Sequence, residues 1–157
     1  MYSEKESCCF TGHRDIERWR YEELGEKVQA EIEKLYALGV RNFVVGGAVG
    51  FDMICAVTVA NLKNKYNDIV LTLALPCKEH DKKWGMSDKA LLETLKRRAE
   101  EIVFVSEEYE KSCMLKRNRY MVDRCHFCIC NCIRNSGGSY YTKKYALKKQ
   151  REIIDIK

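Results

Sequence analysis

The chain of 157 residues contains a single proline, Pro76, and no Pro-, Gly- or Ser-rich stretch of the kind that separates domains. It has no internal repeat and no low-complexity tract. No apolar run approaches the roughly 20 residues that span a bilayer as a helix. The opening "MYSEKESCC" is polar and acidic and lacks the apolar segment of a signal peptide. Together these absences lead us to expect one cytoplasmic domain over residues 1–157 with no membrane partner. The two commonest nucleotide signatures are missing as well. Neither G-x-G-x-x-G nor G-x-x-x-x-G-K-[ST] occurs, which argues against ordinary NAD binding and against Mg-ATP hydrolysis.

The chain is 46% hydrophobic and 32% charged, ordinary for a globular protein. Nine cysteines are an odd number, and several stand inside apolar runs as small hydrophobes do. Reduced thiols are therefore expected rather than a disulfide scaffold. Cys125, Cys128, Cys130 and Cys132 raise the question of a metal. On a strand, Cys128, Cys130 and Cys132 would share one face. Straight strand positions would strain a tetrahedral zinc, and the usual knuckle needs a C-x2-C loop with a second, distant pair. Buried thiols and no metal are the expectation. Net charge is +5 but uneven: residues 1–78 sum to −1 and residues 79–157 to +6. A basic second half suits an anionic ligand, from a small phosphate to nucleic acid, and equally a solvated lysine-rich surface.

Two periodicities alternate along the chain. "CCFTG", "NFVVGG", "DIVLTLALP", "EIVFVS", "HFCICNC" and "REIIDI" read as strands. Between them, "RYEELGEKVQAEIEKLYALG" carries Leu24, Val28, Ile32, Leu35 and Leu38 at helical spacing and closes on Gly39. "FDMICAVTVANLKNKY" reads as a largely buried helix and "SDKALLETLKRRAE" as a helix with a Ser N-cap. "CMLKRNRYMVDRC" and "SYYTKKYALKKQ" complete the set. Unbroken apolar strands alternating with helices imply a three-layer α/β/α sandwich, a modified Rossmann fold with a mainly parallel sheet of five or six strands. Ligands in such sheets bind beyond the carboxyl ends of the strands, where the strand order switches.

Those ends are "TGHR", "GGAVGFD", "PCKEHDKKW", "SEEYEKSC" and "RNSGGSYYT". Two are glycine turns opening directly onto a helix, an arrangement that presents backbone amides and a positive helix terminus to an anion. The first turn, "VVGGAVGFDMICA", has the spacing G-G-x-x-G-x-D. It resembles the G-G-A-x-G-x-D turn of the SLOG superfamily, which groups DprA-like DNA-processing proteins with LOG nucleotide hydrolases. "FTGHR", "LPCKEHDKKW", "KRNRYMVDRC" and "SGGSYYTKKYA" resemble, in order, the YpsA-like branch of small bacterial proteins, so the likeness spans nearly the whole chain. The resemblance implies a nucleotide or nucleotide-derived ligand at the strand ends, held by Thr11, Gly12, Arg14, Gly46, Gly47, Gly50, Asp52, Arg117, Asn118, Arg119, Gly137, Gly138 and Ser139, with no cofactor required.

Each position has a plain structural alternative. The glycines of the first turn would also permit close strand–helix packing. Asp52 lies in a first helical turn, where a carboxylate is favoured by the helix dipole; it could also hold a ribose hydroxyl or act as an acid. Arg14, at a strand end, has a claim on a phosphate. Arg117 and Arg119 sit two apart on one helix and so point to different faces, which leaves at most one for the site. Asp123 stands four residues beyond Arg119, the spacing of an ion pair. Trp84 offers a stacking platform for a base or a packing contact. His80 could serve as a general acid or base, since a histidine ordinarily titrates near neutrality, but in a charged loop it is expected to be solvated.

Three functions follow, in rank order. The first is a module that binds a nucleotide derivative as a sensor or regulator, homo-oligomerisation included, without strong turnover. The second is LOG-like N-glycosidic hydrolysis, which needs a carboxylate beside the glycosidic bond. LOG enzymes place a Glu in P-G-G-x-G-T-x-x-E, whereas "NSGGSYYTKKYA" has no acid before Glu152, so Asp52 and Glu79 are the remaining catalytic candidates. The third is the single-stranded DNA binding that the DprA-like resemblance implies, for which Tyr140, Tyr141, Lys143, Lys144 and Tyr145 loosely interleave basic and aromatic residues, although Tyr145 and the lysines also fit an ordinary amphipathic helix.

Overall fold

The computed structural model describes residues 2–157. Six strands form one sheet: β1 (Ser7–Gly12), β2 (Asn42–Val45), β3 (Val70–Leu75), β4 (Glu101–Phe104), β5 (Phe127–Asn131) and β6 (Glu152–Asp155). Five helices connect them: α1 (Tyr21–Ala37), α2 (Phe51–Leu62), α3 (Met86–Arg98), α4 (Cys113–Arg124) and α5 (Gly138–Lys148). Every strand pair is parallel, in the order β4-β3-β2-β1-β5-β6. The chain therefore walks outward from β1 to β4, crosses back through α4, and resumes on the other side of β1.

This path sorts the helices into two layers. Leu24, Val28, Ile32 and Leu35 of α1, most of α2, and Leu92 and Leu95 of α3 pack with Phe10, Phe43, Leu71, Leu73 and Ile129 on one face of the sheet. Met121, Val122 and Ala146 of α4 and α5 pack with Cys9, Val44, Ala74, Cys128 and Cys130 on the other. The alternation of strand side chains between faces produces both cores from single apolar runs. α2 is buried nearly all round, as its uniformly apolar sequence requires.

Local details depart from the sequence reading in three places. The α3 helix begins at Met86 on an extended Gly85, so Ser87 lies inside the first turn and caps nothing. β4 is an edge strand whose Ile102 and Phe104 stay partly exposed, since nothing pairs with its outer side. β5 ends at Asn131, which leaves Cys132 beyond the strand and only half-buried, while Cys125, Cys128 and Cys130 are buried. All nine cysteines are free, and among the described residues no group of three or more His, Cys, Asp or Glu is arranged to hold a metal ion. No helix of the described residues is long and apolar enough to cross a membrane.

Candidate ligand site

The strand order switches between β1 and β5. β1 continues into α1 on one face and β5 into α5 on the other, so their carboxyl ends diverge and open a crevice. A cleft of about 440 Å³ lies there. It is lined by the β1 end and following loop (Phe10–Asp15), by Ala48 and Asp52 at the start of α2, by Met114, Arg117 and Asn118 of α4, and by Arg134 and Ser136–Ser139 entering α5. Four separate connections thus converge on one opening.

The first glycine turn builds the wall of this cleft. Gly50 takes φ +84° and stands where a Cβ would lie 2.6 Å from the His13 carbonyl oxygen, while the Phe51 amide donates to that same carbonyl at 3.0 Å. The β1 loop is thereby clamped onto the α2 N-terminus. A Cβ on Gly46 would stand 2.7 Å from Arg117 Nη1 and 2.8 Å from Asp52 Oδ2, so a side chain there would occupy the space these two charges share. Glycine at 46 and 50 is needed for close approach.

Arg117 is only 4% exposed. Its Nη1 donates to the Gly46 carbonyl and, at 3.4 Å, to that of Ala74; its Nε donates to Asn118 Oδ1 at 2.8 Å. Asp52, 7% exposed, accepts from the Ala48 amide at 3.2 Å and so braces the turn rather than capping its own helix. Burial pushes the Asp52 carboxyl above its ordinary range, against the opposing pull of Arg117, the Ala48 amide and Arg14. Burial likewise lowers Arg117, with Asp52 holding it up and Arg14 pressing it down. Two opposite charges are kept in a nearly dry wall, an arrangement that costs stability unless a further group completes it.

The second glycine turn is open. Gly137 takes φ +93° at the α5 N-cap, and no atom lies within 4 Å of a Cβ placed on Gly137 or Gly138. The first amides of α5 have no intrahelical partner and face the cleft together with the positive helix terminus. Below them His13, 7% exposed, ties the two sides of the crevice. Its Nε2 accepts from the Ile133 amide at 3.0 Å, which leaves Nδ1 to carry the proton and donate to Ser139 Oγ at 3.1 Å. Burial first, and Arg134 second, hold His13 below the usual histidine range, consistent with that neutral tautomer. At the rim, Arg134 and Asp15 form an exposed ion pair at 2.6 Å.

Of the residues singled out in the sequence, Thr11, Gly12, Arg14, Asp52, Arg117, Asn118, Gly137, Gly138 and Ser139 line the cleft. Gly46 and Gly50 stand behind that lining and shape it, whereas Gly47, at φ +71°, faces Leu75, His80 and Leu92 on the side away from the cleft. Glu79, Trp84 and Arg119 do not line it. Glu79 is exposed on the loop after β3. Trp84 packs edge-to-face on His80, ring centres 5.2 Å apart, and against the core. His80 is not solvated as expected: its Nε2 donates to the Gly47 carbonyl at 3.1 Å and its Nδ1 is buried without a partner. Arg119 turns away to bond the Tyr141 hydroxyl at 2.9 Å, so Arg117 is the arginine of the pair that reaches the cleft. The expected Arg119–Asp123 ion pair does not form, because Asp123 accepts from Tyr145 at 2.7 Å instead. Sequence reasoning missed His13 and Arg134. The only signal for His13 was its place between Gly12 and Arg14 at a strand end.

The fold and this crevice define a Rossmann-like α/β protein whose candidate site lies at the switch between β1 and β5. Residues 8–156 match the family described as the YspA SLOG family, and the chain belongs to that family. Over 138 residues it is 30% identical to an uncharacterized SPbeta prophage-derived protein, YoqJ, of Bacillus subtilis (strain 168), covering 80% of this chain and 81% of that protein. Among solved structures it is similar to DNA processing protein A (DprA) of Streptococcus pneumoniae, with a TM-score of 0.68 and 16% identity over 96% of this chain and 50% of that one. It is also similar to DprA of Helicobacter pylori, a structure described for its single-stranded DNA binding mode, with a TM-score of 0.66 and 19% identity over 95% of this chain and 64% of that one. The chain thus spans half to somewhat under two-thirds of these DprA chains, and the likeness is one of fold.

Proposed function

We propose that the protein binds a nucleotide or nucleotide-derived ligand in the β1–β5 cleft and acts as a sensor or regulatory module. The observation that carries this reading is the unobstructed glycine-capped N-terminus of α5, facing Arg14, Arg117 and Arg134 across one crevice. A phosphate seated on the α5 amides would meet the helix terminus and the exposed arginines Arg14 and Arg134. The carboxylate of Asp52 and the amide of Asn118 stand deeper in the same cleft and suit ribose hydroxyls.

The test is a thermal-shift panel of nucleoside mono-, di- and triphosphates, cyclic dinucleotides and ADP-ribose derivatives on the purified protein. A ligand present at about 100 times its Kd stabilises by about 2.7 kcal/mol. That is a rise of roughly 5–10 °C for a domain of this size. Gly138→Asp places a carboxylate on the proposed anion seat, in open space and at a helix start that favours it. It should leave the melting temperature of the free protein unchanged and remove the ligand shift. No shift with any member of the panel contradicts the reading. Release of free base from a nucleoside monophosphate, lost in Asp52→Asn, would replace binding by N-glycosidic hydrolysis.

A further inference from the structure

Glycine inside a helix costs stability relative to alanine, so one that neither a turn nor a tight contact requires points to space kept open. Gly25 is such a residue. It lies within α1 without a positive φ, and a Cβ placed on it would make only ordinary contacts, 3.9 Å from Ile54 Cγ2 and 3.9 Å from Thr58 Oγ1. It opens onto a groove of about 290 Å³ that runs over α2 between α1 and α3. Tyr21, Glu22 and Gly25 of α1 form one side, Met53 and Val57 of α2 the floor, and Leu91 of α3 the other side. The Thr58 hydroxyl donates to the Ile54 carbonyl of its own helix at 2.7 Å, so the floor presents apolar surface.

The rims are acidic in a selective way. Three of the five glutamates of α1, Glu23, Glu31 and Glu33, pair with lysines at 2.8, 3.3 and 3.0 Å. The other two, Glu22 in the groove wall and Glu26 one turn further on, are exposed and have no ion-pair partner among the described residues. On the facing helix Glu93 pairs with Lys96 at 3.2 Å, whereas the exposed Asp88, one turn before Leu91, has no such partner among the described residues. The carboxylates that these two helices leave without a cation are thus the ones that border the groove.

We propose that this groove is the docking site for a basic amphipathic helix of a partner protein. An apolar side chain of that helix enters over Gly25, and its lysines or arginines meet Glu22, Glu26 and Asp88. Methionine at position 53 suits a floor that adapts to the shape of the entering side chain. The uncancelled carboxylates repel nucleic acid and anionic lipid, and an uncharged apolar ligand would leave them unused. The groove shares only α2 with the β1–β5 cleft, since Asp52 lines the cleft and Met53 the groove, and the proposal does not depend on what the cleft binds.

The test is fluorescence anisotropy with a labelled peptide of about 16 residues, long enough to form a helix on binding, with leucine at helical spacing and lysine elsewhere. We expect saturable, salt-sensitive binding. Gly25→Leu fills the groove and should weaken binding by about tenfold or more without lowering the melting temperature. Should that variant melt early, Glu22→Gln/Glu26→Gln/Asp88→Asn, all at exposed positions, carries the test. It should weaken binding roughly fivefold at low ionic strength and flatten the salt dependence. Glu23→Gln/Glu31→Gln/Glu33→Gln, equal in charge change, should bind as the wild type does. The proposal is overturned if the peptide does not bind at low salt, or if the two triple variants weaken it equally. It is equally overturned if a peptide with glutamate in place of lysine, or one with the same residues in scrambled order, binds as tightly. Self-association of the protein alone, seen by sedimentation velocity and lost in Gly25→Leu, would assign the groove to a second copy instead.

Discussion

Replacing Arg117 by methionine removes the guanidinium from the cleft wall while keeping much of the side chain's length. The principal loss is the charge-assisted bond to the Gly46 carbonyl, since the Ala74 bond at 3.4 Å is long and Asn118 is half-buried with access to water. A hydrogen bond from a charged donor contributes about 1.5–3 kcal/mol, and a buried carbonyl left without a donor costs about 1–3 kcal/mol. Part of this is returned because a buried cation no longer has to be stripped of water. The balance is a destabilisation of about 2–3 kcal/mol, or a fall in melting temperature of roughly 5–10 °C for a domain of this size. The control is Arg119→Met on the same helix, whose exposed partner Tyr141 makes the expected change under about 0.5 kcal/mol. Thermal melts followed by circular dichroism measure both. Equal melting temperatures for the two variants would refute the assignment of Arg117 to the wall.

The glycines make a second contrast. Gly50→Ala forces a side chain into positive φ and against the His13 and Arg14 carbonyls, and should cost about 3 kcal/mol in urea unfolding, whereas Gly138→Ala should change little. Stability should also depend on pH with opposite signs for different groups. His13 and His80 are held below the ordinary histidine value of 6.5, so the stability they confer is present above it and declines as pH falls through 6.5 towards their folded values. Asp52 is raised from 3.8, so its contribution is present in acid and lost as pH rises towards its folded value; Asp52→Asn should flatten that limb, and His80→Asn the other, in urea melts across pH. Burial raises the thiols of Cys8, Cys55 and Cys77, and hydrogen bonding to neighbouring thiols followed by burial raises those of Cys9, Cys128 and Cys130, so a thiol reagent should label Cys132 first in the native protein and all nine cysteines after unfolding.

Much of the fold was legible because the central strands β1, β2, β3 and β5 bury both faces and most helices show their own period. "DIVLTLALP" and "HFCICNC" could only be strands of a covered sheet, and Leu24, Val28, Ile32 and Leu35 do face the core. Strand order was not legible, since it depends on which way each crossover turns, and with it the exact meeting of β1 and β5 stayed hidden. The glycine turns were readable as turns, but their two roles were not: one is filled by neighbouring atoms and the other is open, a distinction that only tertiary packing makes. Spacing alone could not choose between Arg117 and Arg119. The choice was made by Gly46, whose carbonyl comes within reach of one arginine, and by Tyr141, which draws away the other. Trp84 read as a stacking platform or a packing contact and His80 as a solvated side chain, yet the two pack together and His80 pins their loop to Gly47. His13 gave little signal because its partners, Ile133 and Ser139, lie 120 and 126 residues away.

The most direct test of the cleft is a nitrogen-15 NMR titration with the nucleotide that gives the largest thermal shift. Binding at the β1–β5 switch predicts saturable changes in the amides of Gly12, Arg14, Gly138 and Ser139, with those of α1 and α3 unmoved. Saturable changes confined to other surfaces, or none at all, would contradict it.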